Sequence, residues 1–423
     1  MFKIKNIFLL VIFTGLTFGF YFYWKNLRGA WPAFAPPKQN IATLLEKTNE
    51  IANKQRRFVG RQEKAGREDV FVEQGPLTLL QGLSITTFAD NLGKPRVLQV
   101  DKDGTVLVSI PAAGQVVALT DDDNDGKADK RQTVLAGLNK PHGLALWCPD
   151  DKCKLFVAET DKVAVYEYDY TTNQASQRKV IIDLPGGGRH WTRTIKIAEI
   201  DNKPQLLISV GSSCDTCFED DWRRAKILRA NLDGSNLREF ASGLRNSVFL
   251  TVHPLTGEIW ATEMGRDYLG DELPPDEINI IREGKNYGWP ICYGKRVYDE
   301  KFGQKDPDFC LQTEPSYIDI PAHSAPLGLA FVPFDSKWPD FLAGDLLVAY
   351  HGSWNRTVPR GYKIKRFKLD ENGRVIGQGD FISGWLQRGE SLGRPVDILI
   401  LPEGVMYISD DKAGVIYQVK YNG

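Results

Sequence analysis

Six copies of one short pattern run through this chain of 423 residues, from about Pro95 to its end. Each copy joins two hydrophobic, strand-like runs through a turn rich in glycine and aspartate, as in residues 96–120 with the turn Asp101–Gly104. Such repeats are typical of β-propellers, whose sheets are arranged radially around a central shaft. The pattern predicts an all-β fold, a six-bladed β-propeller with loops around one mouth of the shaft. Because the spacing is uneven, five or seven blades are the alternatives.

A propeller must also close its ring, because an open ring would leave exposed sheet edges. The strand-like run 81–89, QGLSITTFA, precedes the first repeat. We expect it to supply the outer strand of the last repeat, which covers residues 397–421. The propeller domain is therefore predicted to occupy residues 76–423.

The N-terminus carries a different signal, an uncharged apolar run from Ile7 to Trp24. As a helix this run would span about 27 Å, and no small-residue cleavage site follows it. Residues 1–24 are therefore predicted to form a transmembrane anchor or a signal segment. Residues 25–75 are predicted to be a short helical stalk or linker, with a small helix packed on the main domain as the alternative. The apolar face of that helix would consist of Ile41, Leu44, Leu45, Ile51 and Ala52.

The cysteines indicate the compartment. Six cysteines fall in three close pairs, Cys148/Cys153, Cys214/Cys217 and Cys292/Cys310. Even numbers of closely spaced cysteines are typical of disulfides in an oxidising compartment. Metal binding or redox activity is the alternative for the Cys-x-x-Cys pair, but no second such pair completes a zinc site. The globular part is predicted to lie in the periplasm or on the extracytoplasmic face, anchored to the inner membrane.

The charge balance argues against a nucleic-acid partner. The chain has 53 Lys and Arg against 54 Asp and Glu, and a formal net charge of −1. The sequence contains no basic cluster with interleaved aromatic residues, which is the usual sign of nucleic-acid binding. Charge therefore gives no reason to expect nucleic acid among the partners.

The segment 121–129, DDDNDGKAD, has the spacing of a calcium-binding loop. Asp121, Asp123 and Asp125 occupy alternate positions, Gly126 permits a sharp turn, and Asp129 follows. The terminal glutamate of an EF-hand is absent. We predict a structural calcium site here, and a solvated acidic turn is the alternative.

Other polar residues stand where loops are expected to enter the propeller strands. His190, in GGGRHWTRT, has a side chain whose ordinary pKa suits a general base, although a lone histidine in a loop is more often a packing residue. Arg245 and its neighbour could bind a carboxylate or simply form an ion pair within the propeller. Arg356 and Arg394 lie at comparable positions in later repeats. Several arginines converging on one mouth imply a polyanionic ligand.

In this order, these segments resemble the soluble-type quinoprotein sugar dehydrogenases, which use pyrroloquinoline quinone (PQQ). The closest resemblance is to the L-sorbosone and aldose sugar dehydrogenases, and it covers residues 85–423. It is carried by the motifs GGGRHWTRT, GLRN, GRDYLGDELPPDEIN, NYGWP, HGSWNR and GRPVD. The resemblance implies a six-bladed propeller that uses PQQ and calcium. It also implies an enzyme that oxidises an aldose or sugar aldehyde by hydride transfer to PQQ.

The resemblance also implies roles for individual residues. His190 would take the proton from the substrate hydroxyl, and Asp276 would lie near the substrate. Arg245 and Asn246 would contact the quinone. Arg394 would pair with the carboxylates of the quinone.

The calcium that accompanies the cofactor would be held by the main-chain oxygens of Gly265 and Arg266. The chain departs from the soluble glucose enzymes here, because Met264 replaces a glutamine and Arg266 replaces a proline. Val396 also stands where a second late arginine is expected. We predict that Arg356 takes over the role of that arginine.

Two functions of other classes stay open at this stage. One is a calcium-dependent lactonase, a hydrolase in which Asn246, Asp276 and Glu277 would bind the metal. The other is a non-catalytic propeller that binds protein or glycan. For the dehydrogenase, the expected partners are a sugar substrate, an electron acceptor that is a quinone or a cytochrome, and the membrane through the N-terminal helix.

Overall fold

A computed structural model describes residues 17, 19–37, 39–45, 69–302, 306, 308–370 and 372–422. The apolar run from Ile7 to Trp24 lies largely outside these residues. Within the described part of the chain, no helix combines the length and the apolar character needed to cross a membrane. Three strands precede the first blade: β1 Phe71–Gln74, β2 Leu77–Leu80 and β3 Leu83–Ala89.

Six antiparallel sheets follow one another along the chain, as the repeats predict. Blade 1 contains β4 Leu98–Val100, β5 Val106–Ile110, β6 Gln115–Thr120 and β7 Lys130–Leu135. Blade 2 contains β8 Gly143–Trp147, β9 Cys153–Glu159, β10 Lys162–Asp169 and β11 Gln174–Asp183. Blade 3 contains β12 Arg193–Ile200, β13 Lys203–Val210, β14 Lys226–Asn231 and β15 Arg238–Ser242.

The later blades carry the longer insertions. Blade 4 contains β16 Leu250–Val252, β17 Ile259–Glu263, β18 Asp276–Ile281 and β22 Ile318–Ile320. The intervening segment holds β19 Lys285–Asn286, which pairs with β15, and the hairpin β20 Cys292–Tyr293 with β21 Val297–Tyr298. Blade 5 contains β23 Pro326–Phe331, β24 Leu346–Tyr350, β25 Lys363–Leu369 and β26 Val375–Ser383, extended by β2 and β1.

Blade 6 closes the ring in the predicted way. Its strands are β29 Pro395–Leu401, β30 Val405–Asp410 and β31 Val415–Tyr421, preceded by the hairpin β27 Leu386–Gln387 with β28 Glu390–Ser391. The early strand β3 pairs antiparallel with β31 and becomes the outer strand of this sheet. The prediction from residues 81–89 is therefore confirmed, and both ends of the propeller meet in one blade.

The strand sequences explain this architecture. The middle strands β5 and β24 read VLVSI and LLVAY, and every residue in both is buried between neighbouring blades. The outer strand β7 has four exposed residues in a row. The connecting turns are set by aspartate: the Asp101 carboxylate accepts the N–H groups of Asp103 and Thr105 at 3.0 and 2.9 Å, and Gly104 adopts a positive φ of 83°.

The described part of the predicted stalk packs on the propeller instead of standing away from it. Ile41, Ala42 and Leu45 are buried in one hydrophobic cluster with Leu77 and Trp338 of blade 5. The structure corrects the expectation of a stalk for these residues, because their apolar side chains gain more by burial than by extension into solvent. The rest of the predicted apolar face, at positions 51 and 52, lies outside the described residues.

Residues 19–37 also lie against the propeller, beside loops of blades 4 to 6. Phe22 contacts Tyr268 with a ring-centroid distance of 5.4 Å, and Phe34 contacts Trp354 at 6.3 Å. Lys412 donates a hydrogen bond to the carbonyl of Pro32, next to the one-turn helix Trp31–Phe34. This segment therefore reaches the mouth of the shaft.

The cysteine pairs form the three predicted disulfides, Cys148–Cys153, Cys214–Cys217 and Cys292–Cys310. No free cysteine is present in the described residues. Three disulfides in a chain of this kind indicate an oxidising compartment, extracellular or periplasmic.

Candidate active site

One cavity of about 590 Å³ opens at a mouth of the propeller. It is built by loops that connect successive strands, and three of these loops lead directly into the inner strands β12, β16 and β29. The cavity brings together six residues that the sequence analysis singled out: His190, Arg245, Asn246, Gly265, Asp276 and Arg394. His190 and Arg245 therefore face the same space, although 54 residues separate them in the chain.

His190 is held through its Nδ1 atom. That nitrogen lies 3.0 Å from the carbonyl oxygen of Ser212 and 2.8 Å from the Ser212 hydroxyl, which itself donates to the carbonyl of Cys214. Both partners act as acceptors, so Nδ1 carries the ring proton and Nε2 keeps its lone pair. Burial, together with the nearby Arg245, holds the pKa of His190 well below its ordinary value. The imidazole is therefore a neutral base at neutral pH.

A glycine brings His190 close to Asn246. Gly211 follows strand β13, and a Cβ atom there would lie 2.7 Å from both the Asn246 Oδ1 and the His190 Cβ atoms. Any larger residue would push the two side chains apart. The Asn246 Nδ2 atom also lies 3.6 Å from the sulfur of Met264, which lines the same cavity.

Arg245 is fixed by four hydrogen bonds. Its Nε donates to the carbonyl of Asp215 at 2.8 Å, and its Nη2 donates to the carboxylate of the same residue at 2.7 Å. Nη1 donates to the carbonyl of Met264 at 3.2 Å, and Nη2 also lies 3.4 Å from Asp267. Burial acts to raise the pKa of Asp215, but the Arg245 charge and the hydrogen bonds from Arg245 and Asp267 together outweigh it, so the pKa lies below its ordinary value. The guanidinium therefore has one orientation, set largely by one acidic neighbour.

Asp267 links several of these groups. It is buried and lines the cavity, pairs with Arg189, and accepts a hydrogen bond from Asn355 Nδ2 at 2.6 Å. Burial raises its pKa, while Arg245 opposes the rise. Arg189 and Asn355 line the cavity as well, so this carboxylate organises one side of it.

Asp276 forms a second buried carboxylate in the cavity wall. It begins strand β18, and its two oxygens accept the main-chain N–H groups of Gly265 and Ala325, each at 2.9 Å. Burial raises the pKa of Asp276 to about 7. Gly265 is required for this approach, because a Cβ atom there would lie 2.8 Å from the carbonyl of Pro275.

Arg394 approaches from blade 6. Its Nε donates to the carbonyl of His351 at 3.0 Å and its Nη2 to that of Gly352 at 2.5 Å. The guanidinium also lies over the ring of Tyr362, with 5.6 Å between its Cζ atom and the ring centroid. Nη1 of Arg394 has no hydrogen-bond partner among the described residues, so it is available to a ligand.

Two predicted cofactor residues direct their side chains elsewhere. Arg356 pairs with Glu272 and donates to the carbonyl of Asp271, so its guanidinium stabilises the insertion in blade 4 and does not line the cavity. Nη1 of Arg266 donates to both carboxylate oxygens of Asp299, at 2.9 and 2.8 Å, beside a smaller neighbouring cavity. The idea that Arg356 replaces a second late arginine is not supported by this placement.

The residues proposed for a lactonase also separate. Asp276 and Asn246 line the main cavity, whereas the adjacent Glu277 lines the smaller one and accepts hydrogen bonds from Asn279 and Gly294. Successive residues of a strand point to opposite faces, which explains the split. One metal ion cannot reach all three side chains in this arrangement.

The acidic loop 121–129 lies away from the main cavity, between β6 and β7. Asp121, Asp123 and Asp129 bring one carboxylate oxygen each within 4.8 Å of one another. Oδ1 of Asp121 is buried and has no hydrogen-bond partner in the described residues. Asp125 is not part of this group, and its carboxylate instead accepts the N–H of Lys127 at 2.7 Å.

Several residues of the cavity escaped the sequence analysis. His351 lies in the motif HGSWNR, and its Nε2 lies 2.8 Å from Asp411, which also pairs with Arg96 at 2.7 Å. Burial lowers the pKa of His351 to about 4. Asp267, which lines the cavity, and Asp215, which lies behind it, were equally hard to find, because an acid that pairs with an arginine looks like a solvated one in a loop sequence.

Comparison with known proteins identifies the family. A family model described as TrAA12-like matches residues 77–422, nearly the whole propeller. The chain belongs to the TrAA12-like family. An uncharacterized protein of Borreliella burgdorferi is 33% identical over 362 residues, which cover 82% of this chain and 91% of the relative.

Other relatives of this TrAA12-like protein have names that state an activity. A "Pyrroloquinoline quinone-dependent sugar dehydrogenase" of Hypocrea jecorina is 26% identical over 50% of this chain and 56% of its own length. A "Pyrroloquinoline quinone-dependent pyranose dehydrogenase" of Coprinopsis cinerea is 24% identical over 68% of this chain and 44% of its own length. The chain thus spans about half the length of these named relatives. The predicted resemblance to PQQ-dependent sugar dehydrogenases is confirmed.

Solved structures support the fold of the TrAA12-like chain. The holo PQQ domain of the Coprinopsis cinerea pyranose dehydrogenase has a TM-score of 0.69 at 21% identity, over 81% of this chain and 97% of that one. A calcium structure of a Trichoderma reesei AA12 enzyme has a TM-score of 0.69 at 22% identity, over 81% and 96%. The six-bladed propeller is therefore shared with both.

Proposed function

We propose that this protein is a PQQ- and calcium-dependent dehydrogenase that oxidises an aldose or sugar aldehyde. The observation that supports this most directly is the convergence of His190, Arg245, Asn246, Asp276 and Arg394 on one cavity. They come from four different loops, and together they supply a neutral base, cationic groups and a buried acid. Membership of a family whose relatives are named as PQQ-dependent sugar dehydrogenases supports the same proposal.

The cavity suits a flat ligand with three carboxylates. Its volume of about 590 Å³ lies within the range of typical cofactor sites. The side chains of Arg189, Arg245 and Arg394 line it, and guanidinium groups bind carboxylates with directed hydrogen bonds. The main-chain oxygens of Gly265 and Arg266 are proposed to hold the accompanying calcium ion, as the family resemblance implies.

The chain itself supplies positioning and proton transfer. The Nε2 atom of His190 is unprotonated and accepts the proton of the substrate hydroxyl as general base. Arg245 and Arg394 orient the cofactor, and the carboxyl of Asp276 fixes the wall at Gly265. When bound, PQQ supplies the two-electron acceptor that the side chains of the protein lack.

Reconstitution tests the proposal. Apoprotein mixed with PQQ and Ca²⁺ is expected to retain the quinone spectrum through gel filtration and to reduce a redox dye when an aldose is added. Protein incubated with Ca²⁺ alone serves as the control and should be inactive. Failure to retain PQQ, together with inactivity across a panel of sugars and alcohols, would overturn the proposal. Lactone hydrolysis without PQQ would instead favour a hydrolase.

Two further expectations belong to the same proposal. The physiological electron acceptor is proposed to be a quinone or a cytochrome. The apolar run from Ile7 to Trp24 is proposed to hold the enzyme at the membrane, where such acceptors occur. Comparing the membrane and soluble fractions of cells that make the full chain with those that lack residues 1–24 tests the second point.

We also propose that the loop 121–129 binds a structural calcium ion through Asp121, Asp123 and Asp129. The partnerless, buried oxygen of Asp121 supports this. The loop touches blade 6, because Ala128 N–H donates to the carbonyl of Phe88 in β3 at 2.8 Å. A bound ion would therefore stabilise the seam at which the ring closes.

Removing this calcium is expected to lower the thermal unfolding midpoint by about 1–2 °C for each kcal/mol lost, given the size of the propeller. Differential scanning calorimetry with and without EGTA measures the shift. In the variant Asp121→Asn/Asp123→Asn the EGTA-dependent shift should shrink strongly. Asp233→Asn, in a Gly/Asp turn of blade 3, is the matched control and should keep the full shift. An equal shift in both variants would contradict a calcium site at this loop.

A further inference from the structure

The short loop closed by the Cys214–Cys217 disulfide lies directly behind the candidate active site. It follows strand β13 of blade 3. Asp215, one of the two residues inside it, and Ser212, two positions before Cys214, contact two different groups of the cavity. The disulfide takes no part in the proposed reaction. Its position beside the site therefore needs another explanation.

The first contact is with Arg245. Asp215 meets this guanidinium twice, through its main-chain oxygen at 2.8 Å and its carboxylate at 2.7 Å. The same carboxylate oxygen accepts the N–H of Asp267 at 2.9 Å. Both contacts with Arg245 depend on the conformation of the loop, since one comes from the backbone and the other from the side chain. A loop free to change shape would lose both together.

The second contact is with His190. The Ser212 hydroxyl lies 2.8 Å from Nδ1, and its hydrogen is directed to the carbonyl of Cys214 at 2.7 Å. The main-chain carbonyl of Ser212, 3.0 Å from Nδ1, favours the same tautomer. If the loop changed shape so that this carbonyl moved away, the hydroxyl could turn and donate to Nδ1, which would then be the unprotonated nitrogen. The proton would move to Nε2, and the base would be lost. The conformation of the disulfide loop, which places both the hydroxyl and the main-chain carbonyl of Ser212, thus helps to set the tautomer of His190.

We propose that the Cys214–Cys217 disulfide is a positioning element for both Arg245 and His190. It acts through Asp215, which orients the guanidinium, and through the Cys214 carbonyl, which orients Ser212. Neither the disulfide nor Asp215 lines the cavity, so they act on the reaction only through other residues. The expected effect on PQQ binding through Arg245 rests on the proposed function. The expected effect on the tautomer of His190 does not depend on it.

The test compares two disulfide-free variants. Cys214→Ser/Cys217→Ser removes the cross-link beside the site, and Cys148→Ser/Cys153→Ser removes one in blade 2 as the matched control. Serine substitution is preferable to chemical reduction, because thiols react with quinones. Calorimetry selects conditions in which both variants are folded.

In the first variant, kcat is expected to fall about 10- to 100-fold, because small misplacements of reacting groups have effects of that size. The Kd for PQQ, measured by absorbance titration of the apoprotein, is expected to rise about tenfold through the loosened Arg245. The control variant should keep both values within about threefold. Unchanged kcat and Kd in the first variant would overturn the proposal.

A double-mutant cycle examines the path through Asp215. Asp215→Asn keeps the main-chain contact with Arg245 but removes the charge, and should also raise the Kd. If the disulfide acts on the guanidinium through Asp215, adding Cys214→Ser/Cys217→Ser to Asp215→Asn should raise the Kd by much less than it does alone. Fully additive effects would refute this path.

A measurement on the apoprotein separates this proposal from the proposed function. ¹⁵N NMR of labelled imidazoles, with His190 assigned by its substitution, reports which ring nitrogen carries the proton. The native protein should show the proton on Nδ1, and the Cys214→Ser/Cys217→Ser variant should show a mixture of tautomers. If PQQ does not bind but this change occurs, the proposed function fails and the positioning role stands. Identical spectra would show that the disulfide does not position His190.

Discussion

His190→Ala should lower kcat for sugar oxidation by about 10²–10⁴-fold, the usual contribution of a general base. The Kd for PQQ should stay within about threefold of the native value, because the carboxylates of the cofactor are expected to pair with arginines. Steady-state kinetics and absorbance titration measure the two quantities separately. A large loss of PQQ affinity with an unchanged kcat would contradict the assignment of His190 as the base.

The pH profile gives an internal control for this prediction. A general base works only when it is unprotonated, so activity falls as the pH drops through its pKa. Burial and Arg245 hold the pKa of His190 well below 6.5, so the acidic limb of kcat should lie below pH 6.5. In His190→Ala this limb should disappear from the residual activity. A limb that persists unchanged would assign the titration to another group.

Arg245→Met should reduce the free energy of unfolding by about 3–5 kcal/mol, since it removes a buried cation that pairs with the partly buried Asp215 and the buried Asp267. Asp215 and Asp267 would both lose a charged partner. The variant should also lose most of its affinity for PQQ. Urea unfolding at several pH values measures the stability. Arg238→Met, which removes a largely exposed partner of Glu283, is the control and should cost no more than about 1 kcal/mol.

The pH dependence of this defect has a defined sign. Arg245 keeps the pKa of Asp215 below its ordinary value, so the pair stabilises the native state above about pH 4 and stops doing so as the carboxylate is protonated. The defect of Arg245→Met should therefore be larger at pH 7 than near pH 4. Adding Asp267→Asn to the Arg245→Met variant should restore part of its stability at pH 7, because it removes one of the two carboxylates that lost Arg245. A defect that is equal at all pH values would indicate lost packing instead.

Much of the fold could be predicted because local sequence patterns determine it. Alternating apolar strands with Gly/Asp turns indicate the blades, and an unpaired strand before the first repeat indicates how the ring closes. Motifs such as GGGRHWTRT and GLRN placed His190 and Arg245 correctly at one cavity. These residues are recognisable because they stand immediately before inner strands, where a propeller loop has to reach the mouth.

The remaining features depend on tertiary contacts that no local pattern encodes. The side chain of Arg356 was predicted to reach the cavity, but an acidic insertion from blade 4 lies closer and pairs with it. Ile41 and Leu45 had the pattern of an amphipathic helix, which does not say what covers its apolar face. Asp215 lies inside a disulfide loop, and nothing in the sequence of that loop indicates its contact with Arg245. Its importance follows only from the position of Arg245, 30 residues later in the chain.

The N-terminal segment has a practical consequence for how the enzyme is prepared. Phe34 stands on the rim of the cavity opposite Trp354, yet it precedes the family-matched region, which begins at residue 77. A shortened protein that starts at the first blade would keep the groups proposed to bind the quinone but would lack Phe34 at the rim, so its cavity would have a wider opening. The substrate selectivity of such a truncated protein would differ from that of the full chain. Kinetic measurements should therefore use protein that retains the residues before β1, including Phe34.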